Sequence, residues 1–139
     1  EMARNLHNLA EAQFDLKQFE LALKTFSQSL ELSDKAGWII GYAANKIYVG
    51  FLKYKNNEHG ANTLLQEGIA LTVEYKFDQI TPLGMFYLAQ VLIYQQKFDE
   101  GKQQLQEAYN LANKIKYLKL CEDIKKYLQE NNIVCVLDG

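Results

Sequence analysis

Apolar positions along this chain recur at helical spacing, and one arrangement of them returns about every 40 residues. Ala22, Phe26, Ser29 and Leu32 reappear as Ala61, Leu65, Gly68 and Leu71, and again as Gly101, Leu105, Ala108 and Leu111. Steps of four, three and three residues place each set on one face of an α-helix. Upstream of each set lies a second helix-period stretch with its own anchor, Leu9-Ala10, Tyr48-Val49 or Leu88-Ala89. From Ala10 to Ala22, from Val49 to Ala61 and from Ala89 to Gly101 the distance is twelve residues each time. Three copies of one spacing on two successive helices predict an array of helical hairpins.

Small residues give the pattern its physical sense. Ala10, Ala22 and Ser29, like Ala89, Gly101 and Ala108, are expected where two helices cross, because a side chain without bulk lets the backbones approach. Leu6, Leu9, Phe19 and Phe26 are expected to fill the space around the first crossing, and Met85, Leu88, Phe98 and Leu105 the space around the third. The second copy departs from this code. Asn45 and Val49 stand where a large apolar and a small residue are expected, and Glu58 where the others have an aromatic.

The periodicity predicts seven helices, over about 2–16, 19–36, 38–55, 58–76, 80–95, 98–113 and 115–130. Gly37 suits the left-handed residue after a helix end. Thr81 is expected to cap the fifth helix, with Pro82 in its first turn, where a missing N–H does no harm. The seventh carries Tyr117, Leu118, Cys121, Ile124 and Leu128 on one side. Lys116, Lys119, Glu122, Asp123, Lys125 and Lys126 lie on the other. An apolar stripe backed by charge is what a terminal capping helix needs. The apolar tail after it, within 131–139, is expected to add an edge contact, swap onto a neighbour or continue into further sequence.

In the first copy Leu6, Leu9, Ala10, Phe19, Ala22, Phe26 and Ser29, and in the third Met85, Leu88, Ala89, Phe98, Gly101, Leu105 and Ala108, resemble the tetratricopeptide repeat family. The resemblance covers residues 3 to about 113, with repeats longer than the family's common length. It implies an all-α chain, a right-handed superhelix of three tandem helix-turn-helix repeats (about 3–37, 38–77 and 78–113) with a capping helix at about 115–130. The whole is expected to form a single domain cut from a longer chain.

Composition narrows the class of function. A 48% apolar share with 12% aromatics supplies a core. A formal charge of −2 offers no electrostatic case for nucleic acid or a membrane surface, and Arg4 is the only arginine. No run of 18 apolar residues is present, and no secretory signal opens the chain. Cys121 and Cys135 are too few for a disulfide framework, which fits a cytoplasmic location.

Catalytic constellations are missing too. His7 and His59 lie on different repeats without further ligands at metal spacing, Cys121 falls on an apolar helix face, and Asp99-Glu100 suit a first helical turn, where acids favour the dipole. No enzyme activity, cofactor or metal is expected.

The working surface then comes from geometry. In the family resembled, the first helix of each pair lines a concave groove. The positions off the partner-helix face are Arg4, His7, Asn8, Glu11 and Asp15; Lys46, Ile47, Gly50, Lys53 and Tyr54; and Phe86, Tyr87, Gln90, Ile93 and Tyr94. Ile47, Phe86 and Ile93 are equally suited to closing the core. Among the rest, Asn8 and Gln90 offer amides for an extended backbone, Arg4, Lys46 and Lys53 meet acids, and Tyr54, Tyr87 and Tyr94 offer rigid contact area. His7 and Glu11 stand at the first helix's clamp positions, which departs from the family's carboxylate clamp. The function expected is a protein-interaction scaffold holding a partner protein or peptide, with no nucleic acid and no membrane. The alternative is a ligand- or peptide-sensing regulatory domain of a multidomain regulator.

Overall fold

The structure, a computed structural model, describes residues 1–137; of the apolar tail, Asp138 and Gly139 lie outside the described residues. Among the described residues it is all-α, with seven helices and no strand: α1 Met2–Asp15, α2 Phe19–Ala36, α3 Ile39–Lys55, α4 Ala61–Glu74, α5 Thr81–Tyr94, α6 Phe98–Lys114 and α7 Leu118–Glu130. The chain divides into two compact units, Glu1–Lys76 with α1 to α4 and the part from Phe77 onward with α5 to α7.

In the first unit α1 packs on α2, α2 on α3 and α3 on α4. Ala10, Ala22, Phe26, Val49 and Leu52 form one buried cluster. Burying a side chain such as Phe26 contributes about 1.5–3 kcal/mol. Across both units the repeated set behaves uniformly. Ala22, Phe26 and Ser29, then Ala61, Leu65 and Gly68, then Gly101, Leu105 and Ala108 are all buried, while Leu32, Leu71 and Leu111 are half-buried.

The second pair crosses at a different residue from the one its spacing predicts. Gly50, not Val49, meets α4: a Cβ on Gly50 would stand 3.0 Å from Leu65 Cγ and 3.1 Å from Ala61 O. One turn further along, a Cβ on Gly68 would lie 2.7 Å from Ile47 Cγ1 and 3.1 Å from Ala43 O. The step in this pair is therefore eleven residues, Gly50 to Ala61. Val49 turns instead toward α1 and α2, where it joins Ala10, Ala22 and Phe26. Because α3 is covered on two sides, its polar strip is narrow, carrying Lys46 and Lys53, and most of its sequence reads apolar. Leu9 and Phe98, expected to fill crossings, are half exposed on the surface.

The helices end in closely similar ways. A left-handed residue follows each one, directly at Gly37 after α2 and one position later at Lys17, Asn57, Lys76, Gln96, Lys116 and Asn132, with φ between 54° and 68°. At six of these ends an N–H reaches back five residues, as Gln18 does to Gln13 O, Trp38 to Ser33 O, Glu58 to Lys53 O, Lys97 to Leu92 O, Tyr117 to Ala112 O and Ile133 to Leu128 O. These bonds satisfy carbonyls that the helix itself leaves open. Glu58, which replaces the aromatic, also serves a turn. It accepts from Asn56 Nδ2 at 2.5 Å and faces Lys53 Nζ at 3.7 Å.

In the second unit α5 packs on α6 and α6 on α7. A Cβ on Gly101 would stand 2.5 Å from Ile93 Cγ1 and 3.3 Å from Ala89 O, so Ala89 and Gly101 form the expected crossing. Thr81 does not cap α5. Ile80 is the capping residue, Thr81 opens the helix, its hydroxyl donates to Phe77 O at 3.3 Å, and Pro82 follows within the first turn. Asp99 and Glu100 do sit in the first turn of α6. The buried face of α7 is Leu120, Cys121, Ile124 and Leu128; Leu118, assigned to that stripe by spacing, is exposed at the first position of the helix. Beyond α7, Val134 and Val136 are exposed in irregular chain.

Candidate partner-binding site

A line of hydrogen bonds ties the first three helices together. Ser29 Oγ donates to Ala3 O at 2.7 Å, so it accepts from Asn45 Nδ2 at 2.9 Å. The Asn45 carbonyl oxygen then faces His7 Nδ1 at 2.7 Å. Because that oxygen can only accept, Nδ1 carries the proton. The other ring nitrogen, Nε2, lies 3.5 Å from Glu11 Oε1, and Tyr48 donates its hydroxyl to Glu11 Oε2 at 3.4 Å. Asn45 and Ser29 are fully buried, whereas Glu11 opens to solvent. The polar residue that breaks the apolar code of α3 thus has both ends of its amide satisfied inside the core.

Aromatic rings surround this line. The His7 ring lies edge-on to Phe26, Trp38 and Tyr48, with centroids 5.5, 5.9 and 6.0 Å away. Tyr48 stacks on Phe26 at 4.4 Å, and Phe14 meets Tyr48 edge-on at 5.3 Å. Arg4 lays its guanidinium 5.0 Å over Trp38. Trp38 also lines a small open pocket of about 70 Å³ with Ser33, Asp34, Gly37, Ile39 and Tyr42.

The ten expected contact residues fall into separate groups. Arg4, Asn8 and Glu11 rise one turn apart on α1, with Arg4 and Asn8 exposed and Glu11 partly so. His7, between them, is mostly buried and committed to Asn45. Lys46 and Lys53 turn away from α1. Lys46 Nζ binds Glu67 Oε1 of α4 at 2.9 Å and sits 4.9 Å over the Tyr42 ring, while Lys53 pairs with Glu58. Burial works against the Lys46 ammonium, but its bonds to Glu67 and Tyr42 outweigh that and hold its pKa above the ordinary lysine value. Tyr54 rests against Phe51.

In the second unit Tyr87 is buried beside Phe86, Gln90 is half-buried and Tyr94 is exposed. Ile47, Gly50 and Ile93 face their partner helices across Gly68, Leu65 and Gly101, so they belong to the crossings. Trp38 and Tyr42 follow no repeated spacing, whereas Tyr48 is an anchor by spacing that also reaches the line of hydrogen bonds.

Among the described residues no three His, Cys, Asp or Glu side chains gather as a metal site, and no helix is long and apolar enough to cross a membrane. Cys121 is buried, and burial pushes its thiol pKa up, with Lys125 pulling weakly the other way. It is a packing residue. No family model, curated protein or solved structure matches the chain.

Proposed function

We propose that the chain is a non-catalytic protein-interaction module of tetratricopeptide-like hairpins, which holds an extended peptide along the seam of α1 and α3. The observation that carries this reading is the row Arg4, Asn8 and Glu11. A cation, an amide and a carboxylate stand one turn apart on a helix whose neighbouring side chains, His7 and Phe14, are locked against α3. A rigid helix presenting mixed polar groups beside Trp38 loses little freedom when a peptide binds. Asn8 offers both a donor and acceptors to a peptide backbone, and Glu11 selects a basic side chain. Lys46 and Lys53 support the scaffold through Glu67 and Glu58 rather than reading the ligand.

The test is a peptide selected from a random display library and titrated against variants by calorimetry. Asn8→Ala and Glu11→Gln are expected to weaken binding about tenfold or less each, which is about 1 kcal/mol per lost bond. The Glu11 effect should shrink at high salt. Binding that survives both changes but is lost in Lys24→Glu would retire the seam in favour of another face of the first unit.

A further inference from the structure

The outward side of α1 carries a row of exposed residues, Met2, Asn5, Leu9, Ala12 and Leu16, at steps of three and four. Met2 is 68% exposed, Leu9 50% and Leu16 71%. The internal repeat shows what such a row meets. Ala3 O accepts from Ser29 as the α2 partner, and Ala43 O lies against Gly68 as the α4 partner, so α1 and α3 align with an offset of 40 residues. Under that offset Asn5, Leu9 and Ala12 correspond to Asn45, Val49 and Leu52. On α3 those three are buried. Val49 and Leu52 pack with Ala22 and Phe26 of α2, and Asn45 donates to Ser29 of α2 while accepting from His7 of α1.

We infer that the Met2, Asn5, Leu9 and Ala12 face of α1 is a docking surface for a further two-helix hairpin, built like α1–α2. Its second helix would bring a small residue, a large apolar residue four positions on and a hydroxyl three beyond that, as Ala22, Phe26 and Ser29 do for α3. The hydroxyl would meet Asn5. A second copy of this chain is the poorer fit, because its own Ala22, Phe26 and Ser29 are already buried under α3. The surface borders the peptide seam: under the same offset Asn8 corresponds to Tyr48, which packs on Phe14 and Phe26 of the preceding hairpin, so the docked hairpin would abut Asn8, while Arg4 and Glu11 face Trp38 and Tyr48.

The experiment supplies the hairpin. Residues 1–41 are placed directly ahead of Met2 of the full chain, which keeps the 40-residue offset. Urea unfolding of this extended chain is expected to show no transition beyond those of the parent, with a higher midpoint and a slope steeper by roughly 30%, because the slope scales with the surface buried. Leu9→Glu in the inner copy should lower the midpoint of the extended chain and leave that of the parent chain unchanged. A separate transition that the parent lacks, an unchanged slope, or aggregation of the extended chain while the parent stays monomeric would overturn the inference. So would sedimentation showing the parent as a dimer that Leu9→Glu splits, since a second copy would then hold the face.

Discussion

Asn45 donates to Ser29 across the α2–α3 contact at 2.9 Å, and both side chains are fully buried. The bond makes sense only as the middle of a line, because Ser29 goes on to Ala3 O and Asn45 back to His7. Asn45→Ala removes a donor and an acceptor together and strands His7 Nδ1–H. The expected loss is about 1–3 kcal/mol, read as a lower urea midpoint. Replacing the whole line by His7→Phe, Ser29→Ala and Asn45→Leu should recover most of that loss, since an apolar set of similar volume leaves nothing unpaired. If Asn45→Ala unfolds at the parent's midpoint, the line contributes nothing.

Val49 and Gly50 are neighbours, and only packing tells which one meets α4. Gly50→Ala and Gly68→Ala should each lose about 1–3 kcal/mol, because their Cβ atoms would press on Ala61 O and Ala43 O, which are backbone and give little. Val49→Ala discriminates. Were Val49 at the crossing, trimming it would relieve crowding; in the α1–α2 cluster it should lose about 1–2.5 kcal/mol by opening a void.

The helices and the two better hairpins were legible in the sequence because their small and large residues repeat at helical spacing, and burial follows that spacing at Ala22, Phe26 and Ser29 as at Gly101, Leu105 and Ala108. The register of the second pair was not, since a glycine one position on was as good a crossing residue as the anchor chosen. Asn45 looked like a defect because its partners lie 16 and 38 residues away. Lys46 read as a free cation because Glu67, its partner, belongs to another helix. Tyr87 lies in a helix that is apolar almost throughout, which leaves its spacing no polar side to mark exposure.

Helix ends show a subtler silence. Gly37 and Asn57 announce a left-handed residue, but Lys17, Lys76, Gln96 and Lys116 adopt it with no sequence signal. A residue with a Cβ is disfavoured there by about 1–2 kcal/mol, partly offset by the entropy glycine loses on folding. Gln96→Gly and Lys116→Gly should therefore raise stability by about 0.5–1 kcal/mol each, and Gly37→Ala should lower it by a similar amount. Midpoints moving the opposite way would mean these ends are held differently.

Cys121 and Cys135 should differ in reactivity. A chromogenic thiol reagent is expected to label half-exposed Cys135 promptly and buried Cys121 only as the chain opens. Burial raises the Cys121 pKa, so the folded thiol keeps its proton where the unfolded one has lost it. The unfolded chain then binds fewer protons, and stability falls as pH rises above about 8.5. Cys121→Ala should remove that part of the slope. Equal labelling rates at neutral pH would show that Cys121 is not shielded.

Lys46 gives the last test, because its two roles predict different outcomes. As a ligand-reading cation, Lys46→Glu would weaken binding of acidic peptides and leave the fold alone. As the partner of Glu67, it should destabilise the chain, since two carboxylates would then face each other between α3 and α4. The pair's own contribution is about 1 kcal/mol or less. Glu67→Lys on top of Lys46→Glu should restore much of the loss by reversing the pair. The pH dependence has a defined direction. With its folded pKa raised, Lys46 contributes fully below the unfolded value near 10.4, and that contribution is lost as pH climbs through the folded value. Urea midpoints of the parent, both single variants and the swap, taken at neutral pH and above pH 10, separate the roles. A Lys46→Glu chain as stable as the parent at neutral pH would return Lys46 to the ligand-reading surface.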